Sequence, residues 1–242
     1  MYQKLSGRVY DALHDKFKDY VAECAKLRAV LQRHAPKAKA LLDVACGTGR
    51  HLEHLRKYYH VEGLDLSAEL LRTARKRCPR VPFHQANMVN FDLDRRFDVI
   101  ICLFGSIGYV KTIDNLEQAI SSMARHLKPG GMLFVEPWLR PENYWTGRLT
   151  LNFVDQPELK IAWMYLSELQ GRISVFDMHY LVGTPQGVDH FTERDEMGLF
   201  THEEYVEAFR KCGLGVRHDP TGLFGYGMYT GVDRRSFDAP KL

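Results

Sequence analysis

The residues that could do chemistry begin with Asp43, which sits within the apolar run Lys39–Ala45 four positions before Gly47, and with the glycine turn Cys46-Gly47-Thr48-Gly49 that follows. Gly47 and Gly49 have no Cβ, so the backbone there can turn sharply and let a ligand approach its amides. A dinucleotide fingerprint would require a third glycine at position 52, where this chain has Leu52. It also makes no use of a carboxylate before the first glycine. Asp43 suits a ligand with a cationic amino group instead. Asp65, followed by Leu66, ends a second apolar run, and a carboxylate there can accept hydrogen bonds from both hydroxyls of a ribose. Asn87 and Met88 follow a third run and offer a polar edge and an apolar face, which suit an adenine.

The elements that must hold these residues follow from hydrophobic patterning. Tyr20, Cys24, Leu27 and Leu31 recur at helical spacing, and Pro36 follows the end of that helix. KALLDVA, HVEGLDL, VPFHQA, FDVIICLF and MLFVEP are predicted strands. Helices fall between them, one through Leu52 and Leu55 and one capped by Ser67. A third opens at Asp114, runs through Leu127 and stops at Lys128-Pro129-Gly130-Gly131. This alternation predicts an α/β fold, a doubly wound and mostly parallel sheet covered on both faces. Ligands in such folds bind beyond the carboxyl ends of the strands. The segments Ala45–Gly49, Leu103–Tyr109 and Glu136–Trp138 should therefore meet Asp65 and Asn87 in one crevice. An amino acid, a ribose and an adenine in that order are the parts of S-adenosylmethionine.

After Pro141 the pattern changes to four consecutive strand-like segments without helices between them, which predicts antiparallel pairing. The expected organisation is an N-terminal helical cap (residues 1–36), a cofactor-binding unit (37–148 and 201–234) and an inserted antiparallel β lid over the substrate (149–200). THEEYVEAFRKCG returns to helix with a Thr201/Glu204 capping box and a Phe200/Tyr205 staple, VRHDP and MYTGV supply closing strands, and SFDAPKL forms a loose tail.

Composition narrows the class. The chain has 242 residues, 45% of them hydrophobic, and a net charge of +3 with basic and acidic residues interleaved, which argues against nucleic-acid binding. Five cysteines without a CxxC pair suit a reducing cytosol, and no apolar run approaches the ~20 residues that cross a bilayer. A soluble cytoplasmic protein is expected. His179, His190 and Glu193 fit no metal-ligand spacing, and no metal is expected.

LLDVACGTG, GLDLS, ANM, CLFGSIGY and EPW, in this order, resemble the class I S-adenosylmethionine-dependent methyltransferases. The resemblance extends to one branch, the bacterial N,N-dimethyltransferases of nucleotide-linked amino sugars. It rests on Tyr2 eight residues before Tyr10, KDY at Lys18–Tyr20, SIG at Ser106–Gly108, EPWLRPENY, HYLV and LFTHEEYVEAF. It implies an enzyme that methylates an amino group of a small polar metabolite, and a homodimer. It also implies cofactor contacts from Tyr10, Ala45, Gly47, Asp65, Asn87, Met88 and Leu103, beside those expected from Asp43, Gly49 and Leu66. The branch commonly has His where this chain has Tyr109, Arg where it has Tyr226, and Asp where it has Asn87. Substrate contacts are expected from Tyr2, Ser106, Ile107, Tyr109, Glu136, Trp138, His179 and Tyr226. A free amine with a pKa of ~10 must lose a proton before it can attack, and Tyr109, Tyr2 and His179 are the candidates to orient it or relay that proton. A hydroxyl or non-sugar amine acceptor would keep the same fold. A protein that binds the cofactor without turnover would keep the same turn, so both readings stay open at this point.

Overall fold

The computed structural model describes residues 6–223 and 225–233 of the chain. Tyr2 and the closing tail lie outside the described residues. Helix α1 (Gly7–His14) is capped by Ser6, whose hydroxyl accepts from the Val9 amide at 3.4 Å. Helix α2 (Tyr20–His34) is capped by Asp19, which accepts from Ala22 at 2.9 Å. The strands β1 (Ala40–Val44), β2 (His60–Asp65), β3 (Phe83–Gln85), β4 (Phe97–Cys102) and β5 (Leu127–Val135) pair in parallel. Two late strands, β10 (Leu214–Asp219) and β11 (Met228–Asp233), complete the sheet.

The order across the sheet is β3-β2-β1-β4-β5-β11-β10, and β11 is antiparallel to both of its neighbours. The order reverses between β1 and β4, so the loops leaving these two strands part and open a crevice at the carboxyl edge. Alternate residues of the central strands enter opposite cores. Leu42, Val44, Ile100, Cys102, Leu133 and Val135 pack with α5 (Ile113–Arg125) and α6 (His202–Lys211). Leu41, Val99, Ile101, Met132 and Phe134 pack with α2 and α3 (Arg50–Leu55). A parallel sheet buried on both faces requires this continuous apolar character. Each fully buried Leu or Ile contributes about 1.5–3 kcal/mol.

One helix differs from its expected bounds. Thr112, not Asp114, caps α5, accepting from the Asn115 amide at 3.2 Å, and the helix ends at Arg125. The buried His126 ring closes it, with Nδ1 2.7 Å from the Ser122 carbonyl and Nε2 accepting from the Leu93 amide at 3.0 Å. Leu127 therefore starts β5, opposite Phe97, and the Pro-Gly-Gly segment forms an irregularity inside the strand.

Strands β6 (Leu149–Gln156), β7 (Leu159–Gln170), β8 (Ile173–Thr184) and β9 (Gly187–Gly198) form a second, antiparallel sheet. Its inner face packs Val154, Ile161, Trp163, Tyr180 and Val182 against Val9, Ala12 and Leu13 of α1. Helix α6 carries the expected capping box, and the Phe200 and Tyr205 rings meet edge to face at 5.8 Å. Among the described residues no helix is long and apolar enough to cross a membrane.

Candidate active site

The turn after β1 is built from residues with left-handed backbone: Ala45 (φ 60°), Gly47 (φ 55°) and Gly49 (φ 76°). A Cβ on Gly47 would lie 3.7 Å from the Tyr10 hydroxyl, so α1 closes one side of the turn. That docking is held by Asp11, which accepts from the Thr48 hydroxyl at 2.5 Å and pairs with Arg77 of α4 (Ala68–Arg77). From the other side, Asp65 accepts from the Gly47 amide and the Ser67 amide, each at 2.8 Å. A carboxylate offers about four acceptor positions, so Asp65 can still accept from a ligand. Burial raises the Asp65 pKa, and the amide donors oppose that rise.

Asp43 lies in a recess of about 30 Å³ behind the turn, with Lys18, Tyr20, His51 and Leu103 around it. It is 2% exposed, and its Oδ2 has no hydrogen-bond partner among the described residues. Burial and the neighbouring Asp65 charge push its pKa well above the usual carboxylate range, against the opposing pull of Lys18. An unpaired buried carboxylate oxygen costs about 1–3 kcal/mol, and an amino group arriving at the turn would satisfy it.

The recess opens past Tyr10, Ala45, Gly47, Phe104 and Ser106 into a cavity of about 500 Å³. One end is lined by Asp65, Leu66, Ala86, Asn87, Met88 and Val89. Here the Asn87 side-chain oxygen accepts from the Val89 amide at 3.0 Å, which fixes the amide group at the rim. Amino-acid, ribose and base positions thus follow one another along the sheet edge. With the unpaired Asp43 oxygen at one end and the Gly47 cradle between, the residues fit S-adenosylmethionine.

The other end of the cavity lies between the first sheet and the inner face of the second. Its walls are His14, Phe17, Ser106, Tyr109 and Trp138, facing Trp163, Tyr165, Phe176, Met178, Tyr180, Asp195 and Met197. The Tyr109 hydroxyl donates to Asp195 Oδ2 at 3.2 Å. Trp138 Nε1 donates to Ser174 at 3.0 Å, and Ser174 donates to the Met197 carbonyl at 3.0 Å. The Trp138 ring meets Phe176 edge-on at 6.2 Å.

Four residues expected on the substrate stand elsewhere. His179 lies on the outer face of the second sheet, exposed and stacked on His190 at 5.9 Å. Strand parity is the reason: Phe176, Met178 and Tyr180 point inward, so residue 179 points out. Ile107 is fully buried in the core with Leu116 and Ile120. Glu136 is fully buried as well, accepting from the Phe104 amide at 2.7 Å, and burial raises its pKa to about 7. It braces the loop after β4, whose Phe104 has φ 57°. Tyr226 is exposed in the turn between β10 and β11, away from the cavity wall. Leu103 borders only the recess. Sequence reasoning missed His14 and Asp195, and placed Phe104 in the crevice only as part of the segment Leu103–Tyr109. The signal for His14 was its place one helical turn after Tyr10. Asp195 shares parity with Met197, but the sequence does not say which face of β9 is the inner one.

A mostly parallel sheet in this order, with a glycine turn after β1 and a carboxylate ending β2, defines the class I methyltransferase architecture. Residues 41–131 match a family model described as a methyltransferase domain. A dTDP-3-amino-3,6-dideoxy-alpha-D-glucopyranose N,N-dimethyltransferase of Streptomyces fradiae is 41% identical over 93% of this chain and 90% of its own length. The crystal structure of Streptomyces venezuelae DesVI superposes with a TM-score of 0.89 at 38% identity, over 96% of this chain and 99% of that one. CalS10 of Micromonospora echinaspora, an amino pentose methyltransferase solved with S-adenosylmethionine bound, gives a TM-score of 0.85 at 34% identity, over 96% of this chain and all of that one (100%). The chain belongs to the class I S-adenosylmethionine-dependent methyltransferases, in the branch that contains these sugar N-methyltransferases. S-adenosylmethionine is its methyl donor.

Proposed function

We propose that this enzyme methylates the amino nitrogen of a nucleotide-linked amino sugar, adding two methyl groups in succession. The observation that carries this reading is the Tyr109–Asp195 pair on the wall of an otherwise mostly aromatic half-cavity. A buried carboxylate facing a small-molecule site suits a cationic amine better than a neutral hydroxyl. The relatives of known substrate support the sugar and its nucleotide, since both the Streptomyces fradiae and Streptomyces venezuelae enzymes are named for dTDP-linked 3-amino sugars.

The bound cofactor supplies a methyl group already activated on a sulfonium, so the protein must position the acceptor and keep water out. Asp43, Gly47 and Gly49 would hold the amino-acid part, Asp65 and Leu66 the ribose, and Asn87 and Met88 the base, with Tyr10 and Ala45 closing the turn. Tyr109, oriented by Asp195, would align the amine. Trp138, Ser106 and the aromatic inner face of the second sheet would enclose the sugar, making that sheet the substrate lid. The outer face of the same sheet supports a homodimer. Leu149, Leu151, Phe153, Met164, Leu166 and Leu181 lie together there and are 42–67% exposed, an apolar patch of the kind that marks a subunit interface. A cytosolic setting agrees with five free cysteines.

Mass-spectrometric detection of methyl transfer tests the acceptor, with 3-amino-3,6-dideoxyglucose offered free and dTDP-linked. One- and two-methyl products on the dTDP-linked sugar are expected. Methylation of only the free sugar, or of neither while S-adenosylhomocysteine still binds, would assign the cavity to another acceptor.

A further inference from the structure

His14 ends α1 one helical turn after Tyr10, so both rings lie on the face that looks into the cavity. The two rings stack at 4.0 Å, and Phe104 meets His14 edge-on at 5.6 Å. Nδ1 of His14 is 2.7 Å from the Tyr10 carbonyl oxygen. A carbonyl has no proton to give, so Nδ1 carries the ring hydrogen and Nε2 keeps a bare lone pair. The other polar groups on the substrate side are committed differently. Tyr109 spends its proton on Asp195, and Trp138 donates to Ser174. Asp195 already accepts from the Tyr109 hydroxyl, and a carboxylate is in general a weaker base than an imidazole, so it suits holding an ammonium better than deprotonating it.

We propose that Nε2 of His14 accepts the proton that the substrate amine must lose before it is methylated. This rests on the amine acceptor proposed above. One N–H bond of the ammonium breaks, its electron pair stays on nitrogen as the attacking lone pair, and the imidazole becomes an imidazolium that returns the proton to water as product leaves. Burial lowers the His14 pKa below its ordinary value, which keeps the ring neutral, with one nitrogen unprotonated, at neutral pH. The charged groups around it are balanced. Asp11 and Asp15 favour the imidazolium, but Asp11 is paired with Arg77 of α4 and Asp15 with Arg50 of α3, while Lys18 of the loop before α2 opposes it. Asp195 of β9 stands on the cavity wall formed by the second sheet.

The test is the pH dependence of kcat/KM with dTDP-3-amino-3,6-dideoxyglucose as probe. In the wild type, kcat/KM should be level between the pKa of His14 and that of the amine. His14→Phe keeps a ring against Tyr10 but removes the base. It should lose about 10³-fold at pH 7 and then climb with unit slope as pH rises, approaching the wild type near the pKa of the amine. A loss by the same factor at every pH, or no loss, would overturn the assignment. Nitrogen NMR of the unaltered protein with S-adenosylhomocysteine bound gives a second reading that needs no turnover. At pH 7 His14 should be neutral with its hydrogen on Nδ1, and an imidazolium or an Nε2–H tautomer would overturn the proposal. If the wild type does not methylate the probe at any pH, the acceptor reading fails, and the tautomer measurement separately decides whether Nε2 of His14 is free to accept a proton.

Discussion

Three buried carboxylates near the crevice illustrate how one residue type takes on different work. Asp43 has an unpaired oxygen, Asp65 is shared between two amides with lone pairs to spare, and Glu136 clamps the Phe104 amide. The unpaired Asp43 oxygen and the remaining acceptor capacity of Asp65 are what a ligand would use. Asp65→Ala should weaken S-adenosylhomocysteine binding by about 1–3 kcal/mol, measured by calorimetry, because it removes ribose acceptors and loosens the Gly47 amide. Unchanged affinity would show that the ribose lies elsewhere. The positions of Asp43 and Asp65 were legible in the sequence because each lies at or near a strand end beside the glycine turn. Glu136 was legible as a residue at the crevice but not in its orientation, which the backbone of Phe104 decides. His179 and Asp195 show the same limit from both sides: alternation groups residues by face, but only packing on α1 says which face is inner.

At the level of elements, the meeting of the turn Ser106–Val110 with β9 carries the geometry of the substrate end. Gly108 makes that contact possible. A Cβ there would come within 2.9 Å of Trp138 Cβ and within 3.1 and 3.2 Å of two Met197 side-chain atoms. Gly108→Ala should therefore push β9 and Asp195 away from Tyr109. The expected result is a rise of about 10-fold or more in KM for the amino sugar, with S-adenosylhomocysteine affinity retained, since a small misplacement at a positioning element is costly. An equal loss of cofactor affinity would indicate general collapse of the crevice instead. Of the elements themselves, the strands and most helices were readable from periodicity and caps. The end of α5 was not, because the buried His126 ring and the pairing of Leu127 with Phe97 are tertiary events.

For the molecule as a whole, the two faces of the second sheet differ in their surroundings. The inner face closes the cavity, and the outer face presents Leu149, Leu151, Phe153, Met164 and Leu166 to solvent in a single chain. Leu151→Lys should convert the proposed dimer to a monomer in light scattering. It should cost little stability within one chain, since Leu151 is 59% exposed. A wild-type protein that is already monomeric would remove the interface.

Sequence by itself determined the alternating α/β order, the antiparallel insertion, the glycine turn with its two carboxylates, and through them the cofactor. These are local properties: a strand needs its apolar run, a turn its glycines, and a ligand contact the residue that ends the strand. Tertiary structure alone brought His14 and Asp195 to the end of the cavity where Tyr109, Ser106 and Trp138 were expected. His14 comes from a helix before the first strand, Tyr109 from the loop after the fourth and Asp195 from the ninth. No periodicity links residues so far apart, because their convergence depends on which faces of α1 and the second sheet bury each other.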